Sequence, residues 1–355
     1  MSENLHKETP INTDMIVLAR ECRGFTQGEL AKKLNTSQGK LSRIEHGLGH
    51  VSEEILNKLE DVLGFPRRFF FENSEVYWPL HVCNRKKSKL PQKTYLNLVA
   101  KANVRQIHIQ KLLRSVEIPN RIPDWDFDEF DRDPLKVAQA LRHFWNIPRG
   151  PIKNVTKILE DAGIFVIHSD FYSSSIDGFT MFFKGISPIV FINSRLPGDR
   201  LRFSLAHELG HIVMHKIPNN FMENEADEFA SEFLMPSMEI KSSLSKLTFE
   251  KLASLKLYWM VSMAALLMKA GQLGKISSRT QRYWFMQLSK RGWRLREPEE
   301  LAIDQEKPSL LKEVLGIHLQ SLKFSVSELC ELLGVFEEEF QLIYLENDKK
   351  MRVVK

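Results

Sequence analysis

Three histidines and a glutamate stand in the stretch RFSLAHELGHIVMH, Arg202 to His215, whose other residues are mostly small or apolar and read as a buried helix. Histidines four positions apart lie on one helix face, so His207 and His211 project their rings toward a common point. That separation suits two ligands of a tetrahedral zinc ion. Glu208, rotated off that face, stands where it can take a proton from a water on the metal. Zinc would bring the pKa of such a water toward ~7 and so permit hydrolysis at neutral pH. Three ionisable groups are costly in an apolar helix unless a cation compensates them. Gly210 leaves room for a second helix to come close.

A third donor must come from elsewhere. Position 217 is Ile, so the later histidine of the metzincin spacing is lacking. His215 falls a turn beyond His211, about 6 Å further along the axis. It is expected to pack or hydrogen-bond behind the metal-binding rings, or to help bind substrate. After a break at Pro218, MENEADEFASEFLMP has helical apolar spacing and ends at Pro236. Folded back on the first helix, it would present a carboxylate from its opening turns. Glu225, beside Ala226 at the start of the apolar stripe, is the expected third ligand, with Glu223 and Asp227 as alternatives. Zn2+ is the expected ion, and Mn2+ or Fe2+ suits the same donors. His215 and Arg202 are the candidates for stabilising an oxyanion or binding substrate.

The elements that must position these groups can be read around them. DPLKVAQALRHFWNIP and GPIKNVTKILEDAG are helices, and IFVIHSD is a buried strand. DGFTMFF and SPIVFIN are two further strands, antiparallel about a turn at Lys184 and Gly185. A peptide could add a strand to the edge of such a sheet. His168, on a strand, is expected to be structural. Leu247 to Ser277 reads as two helices around a short break, covering the catalytic region.

The first seventy residues have a different character. DMIVLARECR, TQGELAKKL, SQGKLSRIEHG and SEEILNKLEDVLG are short amphipathic helices. Thr26 with Glu29 forms a capping box, and Ser37 is the N-cap of the third helix. Two helices joined by a turn of a few residues form a helix-turn-helix, whose second member enters the DNA major groove. Once Leu41 and Ile44 are buried, Gln38, Lys40, Ser42 and Arg43 remain for solvent or DNA, Gln38 suited to a base edge and Lys40 and Arg43 to phosphates or guanine.

Composition bounds the rest. With 355 residues and a net charge of +5, two or three globular domains are expected. No apolar run reaches the ~20 residues of a membrane span. Three scattered cysteines suggest a reduced, cytoplasmic setting and argue against a thiolate metal site. Between His81 and Val116 lie nine basic residues and no acid, followed by the acidic PDWDFDEFDRD. The basic block is either a nucleic-acid footprint or a solvated, internally paired face.

DGFTMFFKGISPIVFIN, RLRFSLAHELGHIVMH and ENEADEFASEFLMP together resemble the ImmA/IrrE family of metallopeptidases, from about Val137 to Pro236. FTQGELAKKLNTSQGKLSRIEHG resembles the Xre/Cro-type helix-turn-helix of phage repressors, which implies Gln27 at the DNA backbone and Gln38, Lys40 and Arg43 at the DNA. The resemblance implies His207 and His211 as ligands, Glu208 as base, a glutamate of ENEA as third ligand, and restricted proteolysis of a repressor. The expected fold is α+β and mostly helical. It divides into a helix-turn-helix domain at 12–72, a basic helical linker at 73–131 and a zincin-like peptidase domain with a small sheet at 132–240. A helical extension at 241–295 and a small helical domain at 305–355 follow.

The expected function is a zinc-dependent endopeptidase joined to a DNA reader, with double-stranded DNA and a repressor-type protein as partners, no membrane, and a homodimer left open. One alternative is a transcription factor whose peptidase-like domain senses or binds a partner with little turnover. Self-cleavage between Phe71 and Leu90, releasing the DNA-binding head, is a third reading.

Overall fold

The computed structural model describes residues 10–77, 91–171, 176–294 and 296–345. Cys83, the basic residues Arg85 to Lys89 and most of the suggested self-cleavage segment lie outside them. The chain divides into two compact units: one built from the N-terminal region, residues 87–118 and residues from 310 onward, the other chiefly from 119–309. Among the described residues, no single helix is long and apolar enough to cross a membrane.

In the first unit, α1 (Thr13–Cys22), α2 (Gln27–Lys33), α3 (Gln38–Glu45) and α4 (Glu53–Leu63) begin at side-chain caps from Asn12, Thr26, Ser37 and Ser52. The capping box of Thr26 and Glu29 is formed. Gly64 ends α4 in the left-handed region at φ 62°, a conformation that suits a residue without a Cβ. Leu30, Leu34, Leu41, Ile44, Leu56 and Leu59 share one core.

The expected linker is not a separate element. Helix α5 (Gln92–Leu112) buries Ala100, Val104 and Ile107 in that same core. The C-terminal helices belong to this unit too: Arg23 forms a bidentate pair with Glu339 at 2.8 and 2.7 Å, and His108 Nδ1 lies 2.6 Å from the Tyr344 hydroxyl. The described part of the basic block is therefore largely spent inside this unit. Lys93 pairs with Glu29 and Lys111 with Glu72, while Arg105 lies over the Tyr344 ring. A helix of α5's length hides such packing from sequence, because charged side chains can lay their apolar stems on a core and keep their heads paired.

The second unit is α+β. Helices α6 (Pro134–Phe144) and α7 (Val155–Asp161) precede a three-stranded sheet of β1 (Phe165–Ser169), β2 (Gly178–Phe183) and β3 (Ile186–Asn193). The strand order is β1-β3-β2, with β3 central. As expected, β2 runs antiparallel to β3 across a tight turn, and β1 runs parallel to it. Two helices then carry the site, α8 (Gly198–Met214) and α9 (Met222–Leu234). They cross closely because residue 210 is glycine: a Cβ there would meet Phe229 at 3.1 Å and the Ala226 Cα at 3.3 Å. Downstream, α10 (Phe249–Trp259), α11 (Met263–Gln272) and α12 (Ser278–Lys290) complete the same core through Leu252, Leu266, Leu267 and Leu288.

Candidate metal centre and DNA-reading helix

On α8 the rings of His207 and His211 converge as the four-residue spacing requires, with their Nε2 atoms 3.0 Å apart. Both residues are buried, at 7% and 2% exposure. The carboxylate that meets them is that of Glu223, 3.3 Å from His211 Nε2 and 3.9 Å from His207 Nε2. Their ligand atoms all lie within 4.8 Å of one another. Zinc held at about 2.0–2.2 Å by imidazole and carboxylate donors needs tetrahedral edges of about 3.3–3.6 Å. The observed triangle is close to that size. Two imidazoles and a carboxylate are also the donor chemistry of a hydrolytic zinc site, so the residues fit the ion.

Glu225, the expected third donor, is not brought to this triangle. Its Oε2 lies 2.9 Å from His215 Nε2 and accepts from Asn219 at 3.2 Å. Helical rotation explains the difference. Relative to Ala226, which faces Gly210, Glu223 and Asp227 fall about 60° and 100° to one side of α9, and Glu225 about 100° to the other. Glu223 and Asp227 therefore share a face, and both reach His207. Asp227 Oδ1 stands 2.8 Å from His207 Nδ1, on the ring edge away from Glu223. His215 sits behind His211, with their Nδ1 atoms 2.9 Å apart, and its ring meets Phe127 edge-on.

Glu208 is buried at 5% exposure, and its Oε2 accepts a hydrogen bond from Thr180 Oγ1 at 2.8 Å. Thr180 was not singled out from sequence. The available signal is a lone hydroxyl in the apolar strand GFTMFF. Gly178, two residues earlier on the same strand face, lets β2 come close to α8: a Cβ there would meet Phe191 O at 3.0 Å and the Glu208 side chain at 3.6 Å.

Arg202 takes no part in this site. It is 1% exposed; its guanidinium pairs with Glu306 and donates to the carbonyls of Ile152 at 2.5 Å and Met260 at 3.1 Å. These acceptors occupy the groups that an oxyanion or substrate would need. Glu306 in turn accepts the Thr156 backbone N–H at 2.7 Å, so the pair fastens residues 302–309 to the start of α8. We expect Arg202→Met to cost about 3–5 kcal/mol of stability, the usual penalty for leaving one member of a buried ion pair alone. Chemical denaturation of the purified chain would measure it. His168, on β1, is held neutral by burial, which pushes its pKa down to about 4.

In the first unit Gln38, Lys40 and Arg43 are exposed on α3, while Leu41 and Ile44 face the core. Ser42 is half-buried. Gln27 stands at the start of α2 and donates to Glu45 at 3.0 Å, and Gln38 reaches Gln27 at 3.5 Å. Glu45 is held by Arg20 in a buried pair at 2.7 and 3.2 Å. The two glutamines thus meet at the junction of α2 and α3, with Lys40 and Arg43 exposed further along α3.

Comparison with known proteins agrees with both halves. Residues 159–270 match the family model described as IrrE N-terminal-like domain, within the M78 peptidases, and residues 16–70 match the one described as Helix-turn-helix. No curated protein matches the chain.

Proposed function

From a chain that joins a helix-turn-helix domain to an IrrE-like peptidase-family domain, we propose a DNA-bound regulator that cleaves a regulatory protein as a zinc-dependent endopeptidase. The observation that carries this reading is the convergence of His207, His211 and Glu223 beside the buried, Thr180-oriented Glu208. Zinc bound by those three residues would supply Lewis acidity to a scissile carbonyl and acidity to a water.

The remaining work falls to the chain itself. Asp227 turns the His207 ring by accepting its Nδ1 proton, leaving Nε2 as a donor to the metal. Thr180 anchors one oxygen of Glu208, so the carboxylate is aimed and the proton taken from water has a fixed receiver. The same carboxyl then returns that proton to the leaving amine. β2 is an edge strand and already touches Glu208, so an extended substrate paired along it would run past the base.

At the other end, α3 would enter the major groove with Gln38 reading a base edge and Lys40 and Arg43 meeting phosphate or guanine. Gln27 contacts the backbone, and Ser42 lies within the same face. Attachment to DNA would concentrate the peptidase near a repressor bound to a neighbouring operator.

Two measurements test the halves separately. The zinc-loaded chain, incubated with extract of its own host, should generate new protein N termini that disappear on chelation. An unchanged N-terminal profile would reject the peptidase. For DNA, replacing Lys40 and Arg43 by Ala should weaken binding and reduce the salt slope by about 1.8, since each phosphate contact contributes about 0.9. A slope equal to that of wild type would remove these residues from the interface.

A further inference from the structure

Asp227 faces the edge of His207, whereas at the Nδ1 of His211 stands another imidazole, that of His215. A neutral imidazole has one N–H and one lone pair, so two rings meeting Nδ1 to Nδ1 can form a bond only if one donates and the other accepts. For His211 to offer its Nε2 lone pair to the triangle with His207 and Glu223, its proton must sit on Nδ1. His215 Nδ1 must then be the acceptor, and the His215 proton must sit on Nε2. That nitrogen points at Glu225 Oε2, 2.9 Å away. A carboxylate is an acceptor, so it holds the proton there. Asn219 donates to the same oxygen at 3.2 Å, and Arg132 stands 3.8 Å from the other.

We propose that Glu225, acting through His215, is a positioning residue that sets the tautomer of His211 and so readies its Nε2 for the metal. The inference rests on the metal-site reading above and deepens it. Glu225 is separated from the ion by two rings, yet it decides which nitrogen of the nearer ring is available. With the protons so placed, His207 Nε2, His211 Nε2 and Glu223 would turn lone pairs toward one point, the donor set a divalent cation takes. It also accounts for the burial of His215, only 2% exposed in an otherwise apolar setting against Phe127.

The test has two readouts on the full chain. Nitrogen-15 spectra of histidine-labelled protein, with and without zinc, should show His215 protonated on Nε2 alone. A His215 protonated on Nδ1 would overturn the proposal, whether or not zinc binds. Zinc affinity by competition with a chromogenic chelator should fall ten- to a hundredfold in Glu225→Ala and in His215→Ala. The double variant should lose no more than His215→Ala alone, because the two act in series. His215→Gln, whose amide oxygen can accept from His211, should recover part of the loss. Wild-type affinity in both single variants, or additive losses in the double variant, would reject the relay. Failure of the metal reading looks different: the wild type itself takes up no zinc while the His215 tautomer stays as described.

Discussion

Glu208→Gln should abolish cleavage while leaving zinc uptake intact. The substitution keeps the shape of the side chain, and an amide oxygen can still accept from Thr180 Oγ1 at the 2.8 Å contact. What is lost is the ability to carry a proton from water to the leaving amine. Positioned general bases contribute about 10²–10⁴-fold. A loss at the upper end is expected because Glu208 is 5% exposed, which limits replacement by bulk buffer. The measurement is the rate of appearance of new N termini at matched zinc occupancy. Equal rates for the two proteins would remove Glu208 from the reaction. Regulation that persists in Glu208→Gln cells would instead favour a sensing role for this domain.

Glu223→Ala should lower zinc affinity far more than Glu225→Ala does. Glu223 is the carboxylate that meets both ring nitrogens, at 3.3 and 3.9 Å, whereas Glu225 meets His215 instead. Losing a hydrogen-bonding partner of a ligand costs about 10–100-fold in affinity. Losing a ligand itself should exceed that, and the third position would be left to water. Chelator competition on both variants ranks them directly. If Glu225→Ala were the more damaging, the donor set would have to be redrawn with Glu225 inside it. Asp227→Ala offers a calibration, since in the proposed site it orients His207 through the 2.8 Å contact rather than ligating.

Helices α8 and α9 are locked together by the glycine at 210, where a Cβ would meet Phe229 at 3.1 Å. Any shift of α9 along or about its axis would move Glu223, Glu225 and Asp227 together, because all three are fixed to one rigid helix. Zinc binding and substrate turnover should therefore respond as one to substitutions along the Ala226, Phe229 and Ala230 seam.

Much of this was legible before any coordinates. The four-residue spacing of His207 and His211, the capping box at Thr26 and the paired strands around Gly185 follow from local geometry, which periodicity reports faithfully. So does the presence of a helix bearing acids after Pro218. Which acid faces the histidines did not follow. Glu223, Glu225 and Asp227 lie within five residues, and the choice among them depends on the rotation of α9 about its own axis when it settles against Gly210. Sequence spacing orders residues around one helix; only contact with a second helix sets the zero of that angle. The same limit hid Thr180, which meets Glu208 across 28 residues of chain, and Arg202, whose partner Glu306 is 104 residues away. It also hid the place of α5 and the C-terminal helices beside the helix-turn-helix in one compact unit. Side-chain chemistry and short-range period are properties of the chain itself, whereas the pairing of distant groups is decided by how the helices and sheet close around a shared interior.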